Sequence, residues 1–218
     1  MMNEKKKAKI IIKTLNRIYP KILTPLKSRN TFTLLVSVLL SAQCTDLNVN
    51  NVTKNIYTKY YKPEHFVKLG KKKIEKLIKK IGIFRIKAKN IYLMSKQVLE
   101  KHKGKVPQTF EELERLPGVG HKTASVVMSQ GFGYPAFAVD THIHRLAQRW
   151  GLTNGKNVLQ TEKDLKRIFP KKIWSKLHLQ IIFYGREYCK ARECYGLVCK
   201  ICTSCYPNRK KPVITKKA

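Results

Sequence analysis

Residues 116–123 of this chain read Leu-Pro-Gly-Val-Gly-His-Lys-Thr, a pattern typical of two helices joined by a tight hairpin. Pro117 cannot continue a preceding helix, while Gly118 and Gly120 permit the positive φ angles and the close backbone approach of a short turn. The amides that begin the second helix can hold a phosphate, and Lys122 lies in its first turn. The stretch predicts a phosphate-binding turn with an amine nucleophile; a purely structural helix corner is the alternative.

The composition of the chain indicates that its partner is a nucleic acid. Its 218 residues include 46 Lys and Arg against 13 Asp and Glu, a formal net charge of +33 at pH 7. Such an excess opposes compaction unless a polyanion neutralises it, and nucleic acid is the polyanion we expect; a lysine-rich codon and genome bias is the alternative. The longest apolar run, from Leu34 to Ala42, is interrupted by serines and too short for a bilayer, so no membrane span is expected. Residues 1–13 are basic with only Ile10, Ile11 and Ile12 as an apolar centre, so no secretory signal is expected.

Apolar residues recur at helical spacing along most of the chain, and no alternating strand pattern is present, so the expected fold class is all-α. Helices are predicted over residues 4–18 and over the apolar run that begins at Thr31. Asp46 is expected to cap a further helix and Gly70 to interrupt another. The glycines and proline of residues 131–135 break the pattern and mark a crossover between two domains.

A second candidate for catalysis, Asp140, follows this break in the stretch from Ala138 to His142. An aspartate before an apolar-periodic run is typical of a helix N-cap. A lysine that attacks a sugar carbon also needs a nearby carboxylate, which can accept a proton and stabilise developing positive charge. The two roles are compatible, because a capping aspartate is held rigidly.

Most of the cysteines of the chain lie close together near its C-terminus, whereas Cys44 stands alone. Without an export signal, this clustering favours a metal or iron–sulfur site over a set of disulfides. Four thiolates suffice for a [4Fe–4S] cluster, with a zinc site or a metal-free loop as alternatives. The clustered residues, separated by four, four, two and two positions, are Cys189, Cys194, Cys199, Cys202 and Cys205.

Residues 116–123 and 139–142 together resemble the helix-hairpin-helix and Gly/Pro–Asp signatures of the endonuclease III family of base-excision DNA glycosylases. The similarity extends from residues 39–43 to the terminal cysteines. It implies that Lys122 is the Schiff-base nucleophile and Asp140 the catalytic carboxylate. It also implies a set of residues that bind DNA: a gap-filling Gln43, an apolar wedge at Ile83, and the hairpin residues Gly118, Val119, Gly120 and His121.

The resemblance further implies how the chain divides into two helical domains. A six-helix domain with the hairpin is expected at residues 24–134, and a discontinuous domain at residues 1–23 and 135–206, with DNA held in the cleft between them. The crossover then lies between Lys122 and Asp140. Residues 207–218 form a lysine-rich tail that is expected to be disordered.

The cysteine loop of that family has the spacing Cys-x6-Cys-x2-Cys-x5-Cys, from which this chain departs. Aligned without gaps, the first, third and fourth positions fall on Cys189, Cys199 and Cys205, and the second falls on Gly196. We therefore expect a [4Fe–4S] cluster held by Cys189, Cys194, Cys199 and Cys205. Cys202 is an alternative ligand.

The activity implied is that of a bifunctional DNA glycosylase and AP lyase. Such an enzyme removes oxidised pyrimidines from duplex DNA through a lysine Schiff base and cleaves the strand by β-elimination. Two alternatives remain: a monofunctional mismatch glycosylase of the same fold and a non-catalytic helix-hairpin-helix DNA-binding protein. The partner is expected to be double-stranded DNA with damaged bases or abasic sites. The protein is expected to be a monomer that acts in the cytoplasm at the nucleoid, or in another DNA-containing compartment.

Overall fold

A computed structural model describes residues 2–218, and over that range its regular structure is helical without a strand, as the all-α prediction requires. None of the helices in this range is long and apolar enough to span a membrane. The α-helices of the described residues are α1 (Glu4–Ile18), α2 (Thr31–Ser41), α3 (Asp46–Lys59), α4 (Pro63–Leu77), α5 (Phe84–His102), α6 (Phe110–Glu114), α7 (His121–Gly131), α8 (Thr141–Arg149), α9 (Val158–Ile168), α10 (Trp174–Glu187) and α11 (Lys200–Cys205).

The chain divides into two compact units. The hairpin unit is the continuous segment Thr24–Tyr134, which contains α2 to α7. The terminal unit combines the chain up to Leu23 with the segment Pro135–Ala218, so it contains α1 and α8 to α11. Each unit has its own set of buried apolar side chains.

The core of the hairpin unit is built around α2. Every residue from Phe32 to Leu40 is buried, so this largely apolar helix is covered on all sides, as expected of a central core helix. It packs against α3, α5 and α7. Its first turn is closed by a capping box in which the Asn30 side chain accepts from the Thr33 amide and Thr33 Oγ1 accepts from the Asn30 amide.

Two helix boundaries in the hairpin unit bear on the sequence predictions. Gly70 interrupts α4 as predicted, with a φ of +68°. The prediction for α3 was wrong by one residue, because Thr45 is the N-cap and Asp46 is already helical. Threonine and aspartate both favour the N-cap, and here the Thr45 hydroxyl accepts from the Asn48 amide at 3.3 Å.

The terminal unit forms its core from both ends of the chain. Buried side chains of α1, including Ile11 and Leu15, belong to the same cluster as Trp150, Leu177 and Ile181. The amphipathic pattern predicted over residues 4–18 is confirmed by the bounds of α1. Its first turn also carries Glu4, which accepts two hydrogen bonds from Arg167 of α9, at 2.7 and 3.0 Å.

The basic tail at residues 207–218 was expected to be disordered, but the structure describes it lying along the terminal unit. The Val213 amide donates to the Tyr195 carbonyl at 2.9 Å. Oε1 of Gln148 accepts from the Lys216 amide at 2.8 Å, and Nε2 of Gln148 donates to the Lys216 carbonyl at 3.0 Å. Arg209 donates to the Arg149 carbonyl at 2.8 Å. The composition misled the prediction, because a few well-placed hydrogen bonds hold a segment that is otherwise rich in lysine.

Candidate active site

The hairpin joins α6 to α7 through a turn that only glycine fits at its centre. Gly118 has a φ of +79°, and a Cβ placed there would lie 2.6 Å from Nδ2 of Asn90. Leu116 and Val119 are buried, and the Val119 amide donates to the Leu116 carbonyl at 3.0 Å. Gly120 begins α7, and no side chain of the described residues caps that helix start. A helix start of this kind is suited to bind a phosphate.

Lys122 is the second residue of α7, and its side chain is exposed. The preceding residue, His121, stacks on the ring of Phe110 with centroids 5.7 Å apart. Its Nδ1 also lies 2.7 Å from Oε1 of Glu114. These contacts with α6 fix the beginning of α7, so the structure gathers Gly118, Val119, Gly120, His121 and Lys122 in one rigid turn.

Asp140 is the N-cap of α8, the structural role that its sequence position predicted. Its Oδ1 accepts a hydrogen bond from the Ile143 amide at 2.8 Å. The chain that leads to it is anchored, because Phe137 and Val139 are buried in the core of the terminal unit. A carboxylate fixed in this way keeps a constant position, which a catalytic base or electrostatic stabiliser also requires.

The helix that Asp140 caps is tied to the end of α10. Nη2 of Arg145 donates to the carbonyls of Gly185 and Cys189, both at 3.0 Å. A Cβ at Gly185 would lie 3.2 Å from Cβ of His142, so this glycine allows α10 and α8 to approach closely. Burial lowers the pKa of Arg145, and the negative charge of Asp140 acts in the opposite direction.

Gln43 and Ile83 both occupy the left-handed region, with φ angles of 54° and 57°. This conformation is unusual for any residue other than glycine and most unfavourable for a β-branched one such as isoleucine. Ile83 is nevertheless 50% exposed, so core packing does not explain its conformation. Gln43 is also exposed, and its carbonyl oxygen lies 3.8 Å from the position of a Cβ on Gly82. The structure therefore brings Gln43 close to the turn that carries Ile83.

Four buried cysteines of the terminal unit form a candidate metal centre. Their Sγ atoms all lie within 4.8 Å of one another, and the cysteines are unpaired. Cys199 and Cys202, separated by two residues at the start of α11, present their thiols together with those of two loop residues. The four gathered residues are Cys189, Cys194, Cys199 and Cys202.

This grouping differs from the predicted ligand set, in which Cys205 was a ligand and Cys202 only an alternative. Cys205 lies outside the group and ends α11 one helical turn after Cys202. Burial raises the pKa of the Cys205 thiol to about 11. The difference arises because Cys199 is the N-cap of α11, so Cys202 in the first turn of that helix lies beside the other thiols.

The chemistry of the four thiols fits a metal cluster. Thiol hydrogen bonds from Cys189 and Cys202 lower the pKa of Cys199, and the contact with Cys199 raises the pKa of Cys189. Four thiolates at this separation repel one another strongly in a buried site, so a full set of charged ligands requires cationic metal.

Two arginines of α8 hold the cysteine loop, and the sequence analysis missed both. Arg149 is buried and donates to the carbonyls of Lys190 and Ala191, both at 2.8 Å, and to Sγ of Cys189 at 3.3 Å. Arg145 precedes it by one helical turn on the same face and binds the Cys189 carbonyl. The only sequence signal for these roles was the spacing of four residues between the two arginines. Arginines in an amphipathic helix are more often exposed to solvent, so this spacing did not single them out.

The sequence was compared with models of protein families, and residues 36–171 match the HhH-GPD superfamily of base excision DNA repair proteins. The chain therefore belongs to this superfamily.

Its relatives include endonuclease III of Bacillus subtilis (strain 168), 44% identical over 195 residues that cover 89% of each chain. Endonuclease III of Escherichia coli (strain K12) is 41% identical over 88% of this chain and 90% of its own.

Solved structures of related proteins have folds similar to that of this chain. A trapped endonuclease III–DNA covalent intermediate is 40% identical, with a TM-score of 0.86, covering 92% of this chain and 94% of its own. The fold also resembles a thermostable thymine-DNA glycosylase, with a TM-score of 0.80 at 23% identity over 90% of this chain and 94% of its own. The predicted resemblance to the endonuclease III family is confirmed, and with it the activity of a bifunctional DNA glycosylase and AP lyase. This family carries an iron–sulfur cluster, and the four gathered thiols of this chain suit a [4Fe–4S] cluster.

Proposed function

We propose that Lys122 is the nucleophile and Asp140 the catalytic carboxylate of a glycosylase and AP lyase acting on oxidised pyrimidines. The observation that supports this most directly is the exposed lysine in the first turn after the glycine hairpin. The rigid capping position of Asp140 supports its part of the proposal. The trapped covalent intermediate of endonuclease III with DNA supports a covalent route in a relative.

In this mechanism the unprotonated amine of Lys122 attacks C1′ of the damaged nucleotide. The bond from C1′ to the base breaks, and its electron pair leaves with the base, which takes up a proton. The attached amine gives up one of its two protons, and O4′ takes up a proton as the bond from C1′ to O4′ breaks, which opens the sugar ring and leaves a protonated Schiff base. Loss of a proton from C2′ then expels the 3′ phosphate, and water hydrolyses the Schiff base. Asp140 stabilises the positive sugar and accepts protons during these steps.

Access to C1′ requires that the damaged nucleotide leave the base stack. We assign Ile83 to the duplex as an apolar wedge and Gln43 to the gap that the extruded nucleotide leaves. Their exposure and their strained left-handed conformations support these roles, since strain of this kind often marks functional positions. The hairpin amides from Gly118 to His121 would hold the phosphates beside the lesion.

The cysteine loop, residues 189–205, would also contribute to DNA binding. Its four gathered thiols would hold the [4Fe–4S] cluster, which supplies a rigid cross-link for the loop when bound. Exposed cations on this loop, such as Lys190, Arg192 and Lys200, would then face the DNA backbone as an ordered set. We further propose a monomer that works on double-stranded DNA at the nucleoid or an equivalent compartment. Size-exclusion chromatography tests the oligomeric state: the protein should elute as a monomer alone and as a complex of one monomer with one duplex.

Borohydride trapping tests the chemistry. We expect the wild type to form a covalent adduct with a duplex containing oxidised thymine, and Lys122→Ala to form none. Asp140→Asn keeps an oxygen for the Ile143 amide, so the fold should persist while base removal falls by about a hundredfold or more. Lys101→Ala, at an exposed site on α5, is the matched control and should react normally.

The same assay separates the alternatives. A monofunctional glycosylase would release the base without a trapped adduct, and a non-catalytic DNA-binding protein would do neither. An adduct that survives in Lys122→Ala would show that another amine is the nucleophile.

A further inference from the structure

Two short segments of the hairpin unit carry the residues assigned above to DNA opening. The Gln43 loop comprises residues 42–45 and connects α2 to α3, and the Ile83 turn comprises residues 78–83 and connects α4 to α5. Both contain a residue with a positive φ that is not glycine. Their strained geometry needs support from neighbouring structure, since nothing in their own sequences favours it.

Lys87 contacts both segments. Its side chain is buried, with an exposed fraction of only 6%. Its Nζ donates to the Ala42 carbonyl at 2.6 Å and to the Leu40 carbonyl at 2.9 Å, so it binds the chain directly before Gln43. Its backbone amide donates to the Ile83 carbonyl at 3.2 Å.

The burial of this ammonium group is unusual among the many lysines of the chain. Burial lowers the pKa of Lys87, which shows that the position is costly for a charged group. The cost is offset by the two carbonyls at the C-terminal end of α2, where the helix dipole favours a cation. A leucine or methionine would fill the same space but would leave the Leu40 and Ala42 carbonyls without this donor.

Two further contacts join the same segments. Nδ2 of Asn48 donates to the Lys80 carbonyl at 3.1 Å and to Sγ of Cys44 at 3.2 Å. The Gln43 carbonyl oxygen also lies 3.8 Å from the position of a Cβ on Gly82, so the two segments are neighbours. These contacts limit how far the Gln43 loop and the Ile83 turn can move relative to each other.

We propose that Lys87 is a positioning residue that joins the Gln43 loop and the Ile83 turn into one rigid element for opening the duplex. This inference rests on the proposed DNA roles of Gln43 and Ile83. A rigid pair allows the wedge to enter the stack and the amide to fill the gap in one step, because neither segment has to be ordered on binding.

The experiment compares Lys87→Met with Lys87→Arg and with Lys101→Met, which removes a positive charge from an exposed site on the same helix. Duplex opening is followed by the fluorescence of 2-aminopurine beside an uncleavable abasic analogue. Base removal is followed under single-turnover conditions on a duplex containing oxidised thymine, and trapping on a single-stranded oligonucleotide with a preformed abasic site.

We expect Lys87→Met to slow base removal from the duplex by about tenfold or more, as loss of a charge-assisted hydrogen bond predicts. The fluorescence rise should fall in parallel, whereas trapping on the single strand should stay near the wild-type rate. Lys87→Arg should recover the duplex activity, and Lys101→Met should not lose it. Asn48→Ala, which keeps Lys87, should show a smaller loss of the same kind.

A folded Lys87→Met protein that opens the duplex like the wild type would overturn the proposal. So would equal losses on the duplex and the single strand, which would indicate general damage to the fold. The fluorescence signal does not depend on Lys122, so it tests Lys87 even if the wild type forms no adduct. A missing wild-type adduct would instead contradict the proposed chemistry.

Discussion

Glycine at position 118 meets two separate requirements of the hairpin. Its positive φ is unfavourable for other residues, and the Asn90 side chain occupies the space that a Cβ would need. The neighbouring Gly120 meets neither requirement, because its φ is −95° and a Cβ added there would have no atom within 4 Å. The two glycines of the motif are therefore unequal at the level of single residues.

Substitution by alanine should reveal this difference. Gly118→Ala should reduce the free energy of unfolding by about 1–3 kcal/mol and weaken binding to an abasic-site duplex, because the strained turn shifts the amides that hold the phosphate. Gly120→Ala is the matched control and should change stability by less than about 1 kcal/mol. Thermal unfolding and fluorescence anisotropy measure the two effects. Equal losses in both variants would contradict the steric argument.

At the scale of the helices, periodicity was sufficient to predict most elements. The bounds of α1 and the helical nature of α2 follow from apolar spacing and length, which depend on neighbouring residues alone. The cysteine ligands and the course of the tail depend on contacts between distant segments, such as Arg149 with the loop at Lys190. The placement of Lys122 and Asp140 at helix starts could be predicted from the sequence, because the local signals for a helix start are strong.

The position of α11 leads to a prediction about the metal. Cys202→Ser should lower the iron and acid-labile sulfide content and the visible absorbance of protein purified without oxygen, because Cys202 belongs to the gathered thiols. Cys205→Ser is the matched control on the same helix and should retain the metal.

Iron lost from Cys205→Ser but kept in Cys202→Ser would restore the ligand set expected from the family spacing. Zinc in place of iron in the wild type would overturn the cluster itself.

For the whole molecule, the formal net charge of +33 predicts that binding to duplex DNA weakens as the salt concentration rises. Each phosphate contact releases counterions from the duplex, so the logarithm of the affinity falls linearly with that of the salt concentration.

Between about 50 and 200 mM salt we expect affinity for an undamaged duplex to fall by about a thousandfold, as for several phosphate contacts. Lys122→Ala should show nearly the same slope, since one cation among many is removed. Anisotropy titrations at several salt concentrations measure the slope. A flat dependence would contradict a binding surface made of lysines.

The construction of the terminal unit from both chain ends has a consequence for synthesis on the ribosome. All residues of the hairpin unit, Thr24–Tyr134, are consecutive, so their core can close while the chain is still growing. Helix α1 is made first, yet its partners α10 and α11 are made long afterwards. The apolar face of α1 therefore lacks these partners until α10 and α11 have been made, and the lysines of the helix keep that segment highly charged in the meantime.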